Sequence, residues 1–148
     1  MKHFAIILAL MVLFACSSDK KKQQQSPAEV AEAKTTMSPK IQKGLRVYKS
    51  NCLACHQADG SGIARVNPPL IGTKWVLGDK ETLIGVVLNG LEGKIEVDSV
   101  KYNSVMNSFS YLSDEEVAAL LTYVRQSWGN DASEIMAQDV AAVRSKED

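Results

Sequence analysis

The chain has 148 residues, of which 45% are hydrophobic and 23% are charged. This length allows one folded domain with a core and excludes a large multidomain enzyme. Seventeen basic and seventeen acidic residues give a formal net charge of zero, so there is no basic excess to hold a nucleic-acid backbone. Three cysteines are too few for a disulfide framework in a chain of this length.

The first 15 residues are predicted to be an export signal. Lys2 gives a positive start, and residues 4–15 form an apolar run that is too short to span a bilayer but suits a signal-peptide core. The junction before Cys16 resembles the bacterial lipobox, in which the cysteine becomes the lipidated first residue. The alternative is an ordinary secretory signal that happens to contain Cys16. We therefore predict a lipoprotein signal peptide over residues 1–15 and a lipid-anchored protein of the bacterial periplasm or cell envelope.

Residues 16–38 are predicted to be a disordered tether. They contain no aromatic residue, and their sizeable apolar side chains are Val30 and Met37. Such a segment has too little apolar surface to offset the entropy of ordering. Twenty-odd flexible residues reach roughly 25 Å on average, so the tether would keep a domain near the membrane while leaving it free to turn.

Residues 39–131 are predicted to form a small all-α domain with about three main helices and long loops. Ser38 is a helix-capping residue and proline suits the first helical position after it. Gly44 lies on the apolar face of this helix, where glycine costs about 1 kcal/mol relative to alanine, so we expect a second helix to pack closely there. The apolar face consists of Ile41, Leu45, Tyr48 and Cys52.

Two further helices are predicted over residues 79–89 and 113–128. Ser113 and Glu116 have the spacing of a capping box, and Gly129 is the expected stop. The apolar stripe of the 113–128 helix consists of Val117, Leu120, Leu121, Val124 and Trp128. Loops of about twenty residues separate the predicted helices, and three short helices bury little apolar surface. A large apolar cofactor would complete such a core.

Two weaker elements complete the prediction. Ile95 and Val97 favour a short extended piece, without a series of strands. Residues 132–148 are predicted to be a C-terminal helical extension. Its modest apolar stripe consists of Ile135, Met136, Val140 and Val143.

Cys52-Leu53-Ala54-Cys55-His56 is a C-x-x-C-H sequence, the attachment signal for c-type haem. Two thiols three positions apart lie on one side of a helical turn and can add to the two haem vinyl groups. The imidazole of the next residue can then bind the iron. A chance match at this chain's cysteine and histidine frequencies is on the order of one in a thousand.

Three alternatives for this motif are a thioredoxin-like dithiol, a structural zinc site and a disulfide. A redox dithiol opens a helix after a strand, whereas a predicted helix precedes Cys52. Zinc needs four ligands, and three remain if Cys16 carries lipid. A disulfide between Cys52 and Cys55 explains neither His56 nor the long loops. One covalently bound haem c is therefore the predicted cofactor.

The second axial ligand is predicted to be a methionine, because the mature chain contains a single histidine. Met37 lies in the tether, and Met136 lies on an apolar stripe where methionine usually fills a core. Met106 lies in a polar loop fifty residues after His56 and just before the capped helix. We predict Met106 as the ligand; the alternative is a surface methionine.

From about Pro39 to Asn130 the sequence resembles class I cytochrome c. The matching features are Gly44 and Tyr48, the motif at 52–56, Asp59-Gly60-Ser61-Gly62, Pro68-Pro69-Leu70, Tyr102-Asn103 with Met106, and Leu112 to Glu116 followed by Tyr123 and Trp128. In that family the first and last helices cross at the glycine, with an aromatic residue from each packed alongside. The resemblance implies this crossing for Gly44, Tyr48, Leu120 and Tyr123.

The resemblance also implies that the carbonyl of Pro68 or Pro69 accepts the imidazole N–H and fixes the tautomer of His56. Trp75 and Tyr102 are candidate hydrogen-bond donors to the haem propionates, or else core residues. The sequence differs from the family at Asn107. In the family, proline commonly follows the ligand methionine, and asparagine at this position predicts a looser loop.

A haem with both axial positions filled has no site for a substrate, so the predicted function is single-electron transfer by a membrane-tethered cytochrome, not catalysis. The resemblance suggests a terminal oxidase, a quinol-oxidising complex or a periplasmic reductase as redox partner. The alternative is a haem-based sensor or a small haem enzyme with an open distal site. We find no distal histidine, arginine or carboxylate cluster near Met106 in the sequence.

Overall fold

A computed structural model describes residues 37–146. The predicted signal peptide, Cys16 and the tether up to residue 36 lie outside the described residues. Within them the chain forms six helices and one two-stranded sheet. These elements are α1 (Pro39–Asn51), α2 (Leu53–His56), α3 (Lys74–Leu77), α4 (Lys80–Asn89), β1 (Ile95–Val97), β2 (Val100–Tyr102), α5 (Asp114–Arg125) and α6 (Ala137–Arg144). None of these six helices is long and apolar enough to cross a membrane.

Helix α1 begins as predicted and crosses α5 at Gly44. Ser38 Oγ accepts the N–H of Ile41 at 3.3 Å and caps the helix. A Cβ atom added to Gly44 would lie 2.1 Å from the carbonyl oxygen of Ala119, so only a glycine lets the two backbones approach this closely. The rings of Tyr48 and Tyr123 pack beside the crossing with centroids 5.5 Å apart. The predicted close approach of two helices is therefore confirmed.

Helix α4 has the predicted bounds. Asp79 Oδ1 accepts the N–H of Thr82 at 2.8 Å and caps its start. Gly90 follows its last residue with a φ of 78°, a left-handed conformation that favours glycine at a helix end. Both signals are local in the sequence, which is why the prediction was accurate.

Helix α5 begins with the predicted capping box between Ser113 and Glu116 but ends at Arg125, three residues earlier than predicted. The chain turns back after this point, and Asn130 Nδ2 donates to the carbonyl of Val124 at 2.8 Å. Trp128 is therefore not on the helical stripe. It has a φ of 55°, and its ring packs against Tyr48 at a centroid distance of 5.2 Å.

The predicted extended piece at Ile95 and Val97 is β1, which pairs antiparallel with β2. The sequence analysis missed β2 and hence the hairpin. Asp98 and Ser99 form the two-residue connection with φ values of 49° and 66°. Hairpin turns favour this left-handed backbone, but their usual sequence signal ends in glycine, and the Asp-Ser pair lacks it.

The C-terminal extension packs against α4 and α5 and contributes to the same hydrophobic core. Ile135, Val140 and Val143 are buried as predicted. The prediction for Met136 is wrong, because its side chain is 43% exposed. Met136 precedes the first residue of α6, its backbone N–H donates to Asp139 Oδ2 at 2.9 Å, and the helix starts later than predicted.

Candidate functional site

Two adjoining cavities lie between α1, α4, α5 and the hairpin. We call the two cavities together the crevice. Both are lined by Cys52, His56, Pro68, Leu91, Ile95 and Met106.

The crevice collects every residue for which the sequence predicts a role at the haem. Cys52, His56, Pro68 and Met106 line both cavities. Of the remaining four, Pro69 and Trp75 line the first cavity, and Cys55 and Tyr102 line the second. The long loops therefore bring residues up to 54 positions apart, Cys52 and Met106, to one place.

His56 is the last residue of α2, and its imidazole is buried with 9% of the residue exposed. Its Nδ1 lies 3.0 Å from the carbonyl oxygen of Pro68. A carbonyl only accepts, so Nδ1 carries the proton and donates, which leaves the Nε2 lone pair available to a metal. Burial lowers the pKa of His56, which favours the neutral, ligating form. Of the two candidate prolines, the structure gives this contact to Pro68.

Cys52 caps the end of α1 and Cys55 lies on α2, one turn further along. Both are free thiols, and Cys52 is half-buried whereas Cys55 is exposed. Burial raises the pKa of the Cys52 thiol to about 12, and the neighbouring Cys55 adds to the effect. A thiol with so high a pKa stays protonated at neutral pH, which disfavours a redox-active dithiol. In residues 37–146 we find no cluster of three or more metal-ligating side chains.

The Met106 backbone is fastened to the end of α4. Its N–H donates to the carbonyl of Leu91 at 2.9 Å, and its carbonyl accepts the Leu91 N–H at 3.0 Å. Phe109 N–H donates to the Val87 carbonyl at 3.0 Å. A Cβ atom at Gly90 would lie 2.4 Å from the Met106 carbonyl oxygen. The looser loop that Asn107 predicts is therefore not found.

Trp75 and Tyr102 approach the crevice from its two ends. The Trp75 indole N–H donates to the backbone carbonyl of Glu96 at 3.5 Å, a long bond that ties α3 to the hairpin. Tyr102 is 6% exposed at the end of β2. The structure brings both residues to the crevice wall and adds a contact for Trp75 that the sequence did not indicate.

The crevice wall is apolar and carries no ionisable side chain of the Asp, Glu, Lys or Arg type among the described residues. Apolar walls, two thiols and a neutral imidazole with a free Nε2 fit a covalently attached haem. A distal acid–base pair, which peroxidase-like chemistry requires, is lacking in this lining. Most of the wall was not predicted from the sequence, because apolar residues carry no individual signal. The apolar residues of the first cavity without a predicted role include Leu83, Val86, Val87 and Leu91.

The sequence is similar to several known proteins. Residues 41–128 match the family model described as "Cytochrome c". Cytochrome c-552 of Thermus thermophilus is 42% identical over 113 residues, which covers 70% of this chain and 85% of that protein. The cytochrome c subunit of a quinone alcohol dehydrogenase from Gluconobacter oxydans is 34% identical over 104 residues, 69% of this chain and 22% of the subunit. A cbb3-type cytochrome c oxidase subunit of Azospirillum brasilense is 30% identical over 102 residues, 65% of this chain and 31% of the subunit.

Proposed function

This chain belongs to the cytochrome c family as a class I monohaem c-type cytochrome with one covalently bound haem c, and we propose that it is a membrane-tethered electron carrier. We assign haem attachment to Cys52 and Cys55 and the axial positions to His56 and Met106. The bound haem supplies one-electron exchange between ferric and ferrous iron.

The observation that carries this proposal is the presence of His56 and Met106 in one apolar crevice that lacks charged side chains. The Pro68 carbonyl orients the imidazole, and the two backbone bonds to Leu91 fix the position of Met106. With both axial positions held by side chains, no site is left for a substrate. A thioether ligand raises the reduction potential, so we expect a relatively high value.

The alternative is an open-site sensor or a small haem enzyme, and the crevice argues against it. Peroxidase-like chemistry at a distal site needs a positioned acid–base group beside the iron. The wall around Met106 in the described residues offers apolar groups and small polar side chains instead. We therefore favour an electron carrier that is not itself an enzyme.

The anchor and the partners belong to the same proposal. A lipid on Cys16, after removal of residues 1–15, would hold the domain at a membrane of the cell envelope through the tether of residues 16–38. Redox enzymes of that membrane would then be the partners. Two of the relatives are subunits of a quinone alcohol dehydrogenase and of a cbb3-type oxidase. The partner classes to test first are a terminal oxidase, a quinol-oxidising complex and a periplasmic reductase.

The decisive experiment records the ferrous spectrum with and without carbon monoxide, using the full chain expressed with haem-attachment machinery. We expect a c-type spectrum that is unchanged by carbon monoxide in the wild-type protein and shifted in Met106→Ala. Met136→Ala is the matched control, because Met136 is exposed on another part of the surface. Rapid carbon monoxide binding by the wild-type protein would favour the sensor or enzyme alternative, and failure to attach haem would overturn the proposal.

A second experiment tests the anchor. Cells that express the protein are fed a labelled fatty acid, and Cys16→Ser is compared with the wild-type chain. We expect label in the membrane-bound wild-type protein, and a soluble or unprocessed variant without label. Absence of label from the wild-type protein, or equal labelling of both proteins, would contradict lipidation at Cys16.

A further inference from the structure

The C-terminal extension is attached to the rest of the domain by ion pairs as well as by its buried apolar residues. Every ion pair in residues 37–146 has one partner at positions 134–146 and the other on an earlier element. The pairs are Lys40–Glu134 at 2.7 Å, Lys80–Asp139 at 3.8 Å, Asp114–Arg144 at 3.0 Å and Glu81–Lys146 at 2.7 Å. In three of these pairs the cation is a lysine ammonium group, whereas the fourth pair uses the guanidinium of Arg144.

Arg144 uses its whole guanidinium group on the segment between Met106 and α5. Nε donates to Asp114 Oδ1 at 3.0 Å, Nη1 donates to the Ser110 carbonyl at 2.8 Å and Nη2 donates to the Leu112 carbonyl at 2.9 Å. A planar guanidinium presents its N–H donors in a rigid fork, whereas the donors of a lysine ammonium rotate on a flexible stem and fix no relative geometry. Arg144 therefore fixes two backbone carbonyls and the first residue of α5 relative to one another.

The same segment is held from the other side by α4. Besides the Met106–Leu91 bridge, Ser108 Oγ donates to the carbonyl of Leu88 and the Phe109 N–H donates to that of Val87. The segment from 106 to 112 thus lies between the end of α4 and the guanidinium of Arg144. Release on the Arg144 side would leave residues 110–112 held by the buried side chain of Leu112, by its N–H bond to the Phe109 carbonyl at 3.0 Å and by the bond from Tyr111 Oη to Asn51 Oδ1 at 2.7 Å.

We infer that Arg144 is a positioning residue for the axial methionine: it clamps the 110–112 segment and so keeps the Met106 sulfur on the iron. This inference rests on the proposed assignment of Met106 as ligand. The residue acts through the backbone and does not touch the crevice, since neither cavity includes Arg144 in its wall. The C-terminal extension would then control how readily the iron exchanges its sulfur ligand.

The test compares Arg144→Gln and Arg144→Lys with Lys40→Gln in the full-length haem protein. Lys40 is the matched control because it also makes an ion pair and a carbonyl bond, to Glu134 and to the Ile135 carbonyl at 2.8 Å, but far in the chain from residues 106–112. The main readout is the rate of carbon monoxide binding to the ferrous form, which requires that the methionine leave. The second readout is hydrogen exchange at the Met106 and Leu91 amides.

We expect Arg144→Gln to bind carbon monoxide about tenfold faster or more, because two bonds from a charged donor are lost from the closed state. Arg144→Lys should reverse less than half of this increase in the logarithm of the carbon monoxide binding rate. Lys40→Gln should bind carbon monoxide at the wild-type rate. Exchange at Met106 should rise only in the Arg144 variants. Equal rates in Arg144→Gln and Lys40→Gln, at equal unfolding midpoints, would overturn the inference. If the wild-type protein already binds carbon monoxide freely, it is the assignment of Met106 that fails, and the inference falls with it.

Discussion

Replacing Gly44 with alanine tests whether the α1–α5 crossing is as tight as the structure indicates. The added Cβ would lie 2.1 Å from the Ala119 carbonyl oxygen and 2.6 Å from Tyr123 Cβ. Ordinary contacts begin near 3.4 Å, so the helices must separate by more than about 1 Å. Both obstructing atoms are rigid, and separation would also disturb the packing of Tyr48 on Tyr123.

The size of the effect follows from two opposing contributions. Overpacking of a well-packed contact costs about 1–3 kcal/mol, and the rigid obstruction at Gly44 favours the upper end. Alanine gains about 1 kcal/mol over glycine in helix propensity. We expect a net loss of about 2 kcal/mol in the free energy of unfolding, which corresponds to a fall of roughly 8–16 °C in the thermal midpoint of a domain of this size.

The assay is thermal unfolding of the haem protein followed by circular dichroism, with Gly85→Ala as control. Gly85 lies in α4, and a Cβ atom there would meet nothing within 4 Å. The control should therefore gain up to about 1 kcal/mol from helix propensity alone. If Gly44→Ala were as stable as Gly85→Ala, the close crossing of α1 and α5 would be refuted.

Three further predictions concern caps, buried bonds and the haem environment. Hydrogen bonds from Thr82 lower the pKa of the Asp79 carboxyl. The stabilising effect of this carboxylate is therefore complete above the unfolded pKa of 3.8 and is lost as the pH falls through the lower folded value. Thermal midpoints of the wild-type protein and Asp79→Asn should converge at acid pH, and a constant difference between them would contradict this prediction. Asn130→Asp should lower the denaturant midpoint more than Asn130→Ala does. The reason is that a carboxylate would face the Leu70 carbonyl, to which Nδ2 now donates at 3.0 Å. An unchanged midpoint in Asn130→Asp would contradict this bond. Trp75→Phe should leave the reduction potential unchanged in a redox titration, because the indole N–H donates to the Glu96 carbonyl. A lower potential would contradict this and indicate a bond to a haem propionate, since a less compensated negative charge favours ferric iron.

The features that the sequence predicted correctly depend on neighbours within a few positions. Ser38 with Pro39, Asp79 and the Ser113–Glu116 box mark helix starts because a capping side chain binds the backbone two or three residues ahead. The C-x-x-C-H motif is equally local, since one helical turn brings its thiols and imidazole together. Gly44 is the exception. Glycine is unfavourable inside a helix, and this single residue therefore indicated that a helix distant in the sequence packs closely against it.

The features that were missed or wrong are set by contacts between distant parts of the chain. Helix α5 ends early because Asn130 folds back onto the Val124 carbonyl, and no local stop precedes Gly129. Trp128 therefore leaves the helix and stacks on the aromatic pair at the crossing. Met136 is exposed because Ile135 takes the buried position before α6. An apolar pattern shows which residues prefer burial but not which of two neighbours is buried.

The same division between local and distant contacts separates two functions of the site. The proposed haem attachment depends on Cys52, Cys55 and His56, which one helical turn and the Pro68 carbonyl hold in place. The proposed methionine ligand depends on contacts that join three separate stretches of chain, at α4, at residues 106–112 and at Arg144. Substitutions in the first group should abolish covalent haem, whereas substitutions in the second should leave haem attached and change its ligand exchange and potential. If a substitution in the second group caused loss of covalent haem while the protein remained folded, the two groups would not be separable.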